Sequence, residues 1–198
     1  MPFAERLPLS YSQKRLWFLD RIGGTSAEYN LPRMVRLRGE LQLEALERTV
    51  NTIVERHESL RTHFEEVDGE PAQVIEPELR IEVPVEDLSG LPEEQARERV
   101  MAALKQERDE PFDLGRGPLL RMKLLKLGEQ DHILLRTMHH IVTDVWSERV
   151  FNREFMSLYE AYCQGRENPL KPLEVQYADF ALWQRRWLES GAMDEGLG

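Results

Sequence analysis

The sequence predicts an α+β domain with a largely antiparallel sheet, and three observations predict it. Two alternating apolar runs, residues 119–127 and 132–138, are separated only by Gly128-Glu129-Gln130-Asp131, the pattern of a β-hairpin. Leu43, Leu46, Val50, Ile53, Val54 and Leu60 recur at helical spacing, which marks a long amphipathic helix reaching about residue 60. Strand-like and helix-like segments mix without the regular β-α-β alternation that a parallel sheet requires.

The remaining elements follow from local signals. Ser10-Tyr11-Ser12-Gln13 fits a capping box, with Ser10 as N-cap and Gln13 reaching back to it. The helix it opens carries Leu16, Trp17 and Leu19 and stops at Gly23-Gly24. Residues 33–37 read as a short strand ended near Gly39. Asp68-Gly69 marks a tight turn, with residues 72–75 as the returning strand. Pro92-Glu93-Glu94 starts a helix with Ala96, Val100, Ala103 and Leu104 on one face, since proline presets the backbone and acids suit the positive helix end. Asp144 is a natural N-cap for a helix carrying Phe151, Phe155, Leu158, Tyr159 and Tyr162, closed by Gly165. Pro169 and Pro172 break the chain before a last aromatic helix over 177–188. Trp17, Phe18 and Phe155 read as core.

Composition bounds the function. The 198 residues, 41% of them hydrophobic, can bury a substantial core as one large domain or two small ones. A net charge of −10, with basic residues interleaved among acids, argues against a nucleic-acid partner, which needs concentrated Lys and Arg. The one cysteine, Cys163, forms neither an internal disulfide nor a Cys-rich metal site, so a reducing cytoplasm is the expected location. No apolar run approaches the ~20 residues of a membrane span, and the N-terminus lacks a secretion-signal pattern.

The stretch with most chemical content is His139-His140-Ile141-Val142-Thr143-Asp144-Val145-Trp146-Ser147, placed where a strand ends and a helix begins. Histidine exchanges protons near neutrality, its unperturbed pKa being about 6.5. A histidine and an aspartate so spaced suit proton transfer; they equally suit a buried histidine and an ordinary N-cap. Zinc ligation by His139, His140 and Asp144 is the poorer reading, because adjacent strand residues point to opposite faces.

Several segments together resemble the condensation domains of non-ribosomal peptide synthetases, which share the chloramphenicol-acetyltransferase-like fold. They are Leu9-Ser10-Tyr11-Ser12-Gln13-Lys14-Arg15-Leu16-Trp17-Phe18-Leu19, then Arg56-His57-Glu58-Ser59-Leu60-Arg61-Thr62-His63-Phe64, then the His-His-x-x-x-Asp run. Tyr177-Ala178-Asp179-Phe180-Ala181-Leu182-Trp183-Gln184 is a fourth, and Pro111-Phe112-Asp113-Leu114 through Gly117-Pro118-Leu119-Leu120 a fifth. Family members are usually more than twice as long, with two similar lobes around a tunnel. The resemblance therefore implies one N-terminal lobe over 1–198, with about 1–175 as its core and 176–198 starting the crossover to a C-terminal lobe.

The resemblance further implies an amide-forming acyltransferase. It joins aminoacyl or peptidyl thioesters, carried on the phosphopantetheine arms of donor and acceptor carrier proteins, to an acceptor amine, with no cofactor or metal bound directly. Matching the motif makes His140 the residue that accepts the amine's proton or orients the amine. His139 becomes its packed, hydrogen-bonded neighbour. Asp144 becomes a structural residue held by helix N–H groups and by an arginine, Arg61 slightly ahead of Arg56. Val145 stands where the family motif has glycine, which predicts a strained turn or a narrowed channel. One lobe is expected to be inactive alone and to expose the apolar surface that meets its partner lobe and neighbouring synthetase domains. The rival readings are an epimerisation-domain relative and a non-catalytic scaffold, docking or vestigial lobe. Residues 12–17 and the His-Asp segment ending in Trp146-Ser147 resemble condensation domains more than epimerisation domains, particularly those joining L-configured partners. Heterocyclisation relatives carry aspartates where this chain has histidines.

Overall fold

The computed structural model describes residues 7–24 and 27–190. In chain order the elements are β1 (Leu7–Pro8), α1 (Tyr11–Gly23), β2 (Asn30–Arg38), α2 (Leu43–Arg56), β3 (Thr62–Val67), β4 (Glu70–Ile75) and β5 (Val85–Asp87). They continue with α3 (Glu93–Asp109), β6 (Leu120–Gly128), β7 (Asp131–His139), α4 (Val145–Cys163) and α5 (Tyr177–Glu189), and short 3₁₀ turns cover Ala27–Tyr29 and Glu58–Arg61.

The strands form two sheets rather than one. The smaller has the order β1-β4-β3 and the larger β2-β7-β6-β5. Every pairing is antiparallel except β5 with β6, which is parallel. The β3–β4 turn is made by Asp68 and Gly69, both at positive φ, as a two-residue turn that follows the strand twist requires.

Strand β7 lies between β2 and β6 and is buried along nearly its whole length. Ile133 and Leu135 pack with Leu125 against Val100 and Ala103 of α3. Leu134 and Met138 belong to the main core, with Val50 and Ile53 of α2 and Phe151 and Leu158 of α4. The sheet is thus covered on both faces, and its central strand carries the histidine motif.

Local signals hold where they are short-ranged. Ser10 caps α1 with the expected reciprocal bonds to Gln13, and Gly24 follows the helix at φ 70°. Helix α2 stops earlier than the periodicity implies, at Arg56, because His57 is extended (φ −105°, ψ 102°) and a 3₁₀ turn carries the chain on to Leu60. Trp17 is buried and Phe155 packs on the core, but Phe18 is half-exposed with its ring edge-to-face on Trp17.

Candidate active site

The end of β7 separates the two histidines of the motif. His139, the last residue of β7, is 1% exposed, and its ring sits against the edges of Tyr29 and Phe112. The Ile141 N–H donates to His139 Nδ1 at 3.1 Å, so in the neutral ring the hydrogen is on Nε2. Burial, with His140 adjacent, pushes its pKa down to about 4, and the ring is neutral at neutral pH. His140, one residue on, is exposed; its backbone N–H donates to the Tyr29 carbonyl at 2.9 Å. The solvent-facing imidazole is therefore the one the motif match singles out.

Asp144 caps α4. Its Oδ1 accepts from the Ser147 N–H and from the Ser147 hydroxyl, both at 2.7 Å. Partial burial works against its charge, but the Ser147 donors and the Trp146 amide prevail and hold it below the usual aspartate range. The expected arginine pairing is not formed. Arg56 Nε instead donates to buried Glu154 at 3.2 Å and its Nη1 to the Lys171 carbonyl, while Arg61 bonds the Glu76 carbonyl and lies 3.4 Å from Glu58. The physical reason is burial: Glu154 is nearly inaccessible and needs a counter-charge, whereas Asp144 is exposed and satisfied by its own helix.

Val145 does not strain the turn. It is the first residue of α4, and Asp68 is the sole non-glycine at positive φ among the described residues. Its side chain is 74% exposed, beside an equally exposed Trp146, so the extra bulk projects outward from the loop.

Two further groups surround the motif. Arg136 of β7 donates from Nη2 to Glu148 of α4 at 2.5 Å and from Nη1 to Asn152 at 3.2 Å, with its guanidinium 4.1 Å over the Phe151 ring. Both members of the pair are largely buried, and burial lowers the pKa of Arg136 against the pull of Glu148. In the second group His57 Nε2 lies 2.7 Å from Glu154, the acid that also binds Arg56. Sequence reasoning singled out neither Arg136 nor His57. A signal was present nonetheless: Glu148 and Glu154 fall on the Phe151–Leu158 stripe of α4, where an acid has to be paired.

A cavity of about 200 Å³ opens between this loop and the segment leading to α5, walled by Leu60, Met138, Val142, Phe151, Leu173 and Val175. On α5, Tyr177, Phe180, Trp183 and Trp187 form a consecutive series of ring contacts and are all exposed. That aromatic stripe is an exposed apolar surface on the last helix.

A family model described as a condensation domain matches residues 4–196. The chain belongs to the condensation-domain family. The chain is 42% identical over its whole length to chondramide synthase cmdD of Chondromyces crocatus. It is also 45% identical, over 96% of the chain, to malpibaldin synthetase of Mortierella alpina. It spans 5% and 3% of those two proteins. Among solved structures, the X-domain from teicoplanin biosynthesis is 32% identical, with a TM-score of 0.84 over 97% of this chain and 40% of that one. The starter condensation domain of rhizomide synthetase RzmA superposes with a TM-score of 0.86 at 21% identity, covering 97% and 47%. The α+β architecture is the fold of these domains, and this chain spans less than half the length of either solved chain.

Proposed function

We propose that the chain is the N-terminal lobe of a peptide-bond-forming condensation domain, with residues 1–175 as the lobe and 176–198 opening the crossover. In the complete domain a neutral acceptor amine attacks the donor thioester carbonyl. The C–N bond forms, the C–S bond breaks, and the phosphopantetheine thiol leaves. His140 takes the proton lost by the amine or fixes the amine's lone pair toward the carbonyl. The observation that carries this reading is the position of His140: exposed at the end of a buried strand, next to a helix N-terminus pinned by Asp144. The neutral, buried His139 supports the backbone from inside.

The lobe alone is inactive on this reading, because His140 faces solvent without an opposing wall. Donor and acceptor carrier proteins and a C-terminal lobe are the partners, and the cytoplasm is the location. Amide formation between donor-loaded and acceptor-loaded carriers tests it, with the chain alone and with a matching second lobe. Product is expected only with both lobes and is expected to fall about 10²–10⁴-fold in His140→Ala. Equal rates in that variant would refute the assignment.

A second reading, a lobe that recruits a protein partner, has one observation in its favour. The similar teicoplanin X-domain has been solved in complex with OxyB, and this chain exposes an aromatic stripe on α5. Carrier-independent binding of a partner through Trp183 and Trp187, with no amide formed by the two-lobe protein, would favour it.

A further inference from the structure

The cavity between the motif loop and the segment before α5 has no role in the chemistry above, yet its walls are unlike a packing defect. Apolar groups from four separate parts of the chain line it, among them Leu60, Val142, Phe151 and Val175. Two polar groups on the same walls stand out. Thr143 is 6% exposed, and its hydroxyl has no hydrogen-bond partner among the described residues. A buried hydroxyl left without a partner costs free energy and calls for a ligand group. His57 is held from behind by Glu154 at 2.7 Å, and Glu154 is anchored in turn by Arg56 at 3.2 Å. With Nε2 engaged by a carboxylate, the ring has its other nitrogen, Nδ1, left for a second hydrogen bond. A histidine oriented by a buried acid is a fixed, pre-organised hydrogen-bonding group.

We infer that this cavity is a side-chain subsite, taking a branched aliphatic or aromatic side chain of an acyl group while His57 and Thr143 engage its adjoining amide. The size supports a side chain rather than a whole ligand, since pockets for complete small molecules run from about 300 to 1,000 Å³. The polar pair fits an amide because one amide offers both an N–H donor and a carbonyl acceptor. The identification of the occupant as an aminoacyl or peptidyl group rests on the proposed function; the existence of the subsite does not.

The test is an NMR titration of the isotopically labelled chain with N-acetyl-L-leucine amide, N-acetyl-L-phenylalanine amide and N-acetylglycine amide. Saturable shifts are expected at Val142, Thr143 and Val150, the last a further residue of the cavity wall, with the first two probes and not with the glycine compound. His57→Leu is expected to weaken binding about 2- to 10-fold, the value of one net hydrogen bond, and Thr143→Val to do the same with the fold intact. Val150→Phe narrows the cavity and is expected to favour the leucine probe over the phenylalanine probe. Equal shifts with the glycine compound, shifts confined to residues away from the cavity, or no saturable shift would overturn the subsite. Leucine and phenylalanine binding in the cavity together with absent amide formation by the two-lobe protein would instead count against the proposed function.

Discussion

Replacing Arg136 by methionine removes one half of an ion pair whose members are 8% and 11% exposed. Glu148 would then be a charge inside the protein whose remaining cation is Arg33, half-exposed and 3.4 Å away. Breaking a buried pair from one side costs about 3–5 kcal/mol, since the remaining charge keeps its desolvation penalty and loses its compensation. The Arg33 contact places the expected loss near the lower end, about 3 kcal/mol. For a domain of this size that corresponds to a melting point lowered by roughly 6–12 °C. The double variant Arg136→Met/Glu148→Leu removes both charges together and is expected to recover most of the loss, because apolar replacement of a whole pair is often neutral or better. Urea denaturation of the two variants beside the parent measures both effects. A single-variant loss under about 1 kcal/mol, or a double variant no more stable than the single one, would refute the account of the pair as a compensated buried charge. The pair also joins the strand that ends in His139 to the helix that Asp144 caps, so the single variant is expected to broaden the amide signals of the intervening loop.

Other expectations follow from the same geometry. His139 is held neutral in the fold with a pKa near 4, against about 6.5 unfolded, so the unfolded chain binds the extra proton first. Its contribution to stability is full above pH 6.5 and is lost as pH falls toward 4, by about 3 kcal/mol; His139→Phe is expected to flatten that part of the stability–pH curve, as thermal melts across pH 4–7 can show. Asp144→Ala removes the α4 cap and is expected to cost about 1 kcal/mol in chemical denaturation, with Asp144→Asn retaining most of it. Val145→Gly, at an exposed first helical position without strain, is expected to change stability by under about 0.5 kcal/mol. The exposed α5 stripe is expected to make the chain self-associate at high concentration, and Trp183→Glu with Trp187→Glu to abolish it, as sedimentation velocity can show.

How much of this is readable from the sequence depends on range along the chain. The capping box at Ser10, the Asp68-Gly69 turn and the Asp144 cap are settled by atoms within a few residues, and the sequence displays them directly. The hairpin of β6 and β7 is readable for the same reason, through its short turn. The division into two sheets is not. Strand β1 has two residues and β5 three, too few to show a period, and β1 is placed by pairing Leu7 with Gln73 far along the chain. The opposite fates of His139 and His140 are legible from where the apolar run stops, since His139 ends the buried strand and His140 lies in the turn beyond it. The arginine partners are not, because competition among Glu58, Glu154 and Asp144 is decided by which acid is most deeply buried, a tertiary quantity.

The bonds that seat α5 have a consequence for how the chain assembles. The Ser10 hydroxyl meets the Tyr177 hydroxyl at 2.9 Å, the Tyr11 N–H donates to Gln184 at 3.0 Å, and Arg185 donates to the Leu9 carbonyl at 3.1 Å. These contacts close loops of 167, 173 and 176 residues. Their closure entropy has to be met before they return anything, and no local structure can form them early. During synthesis the start of α1 therefore waits, capped by its own Ser10 but incomplete, until α5 has emerged to close over it.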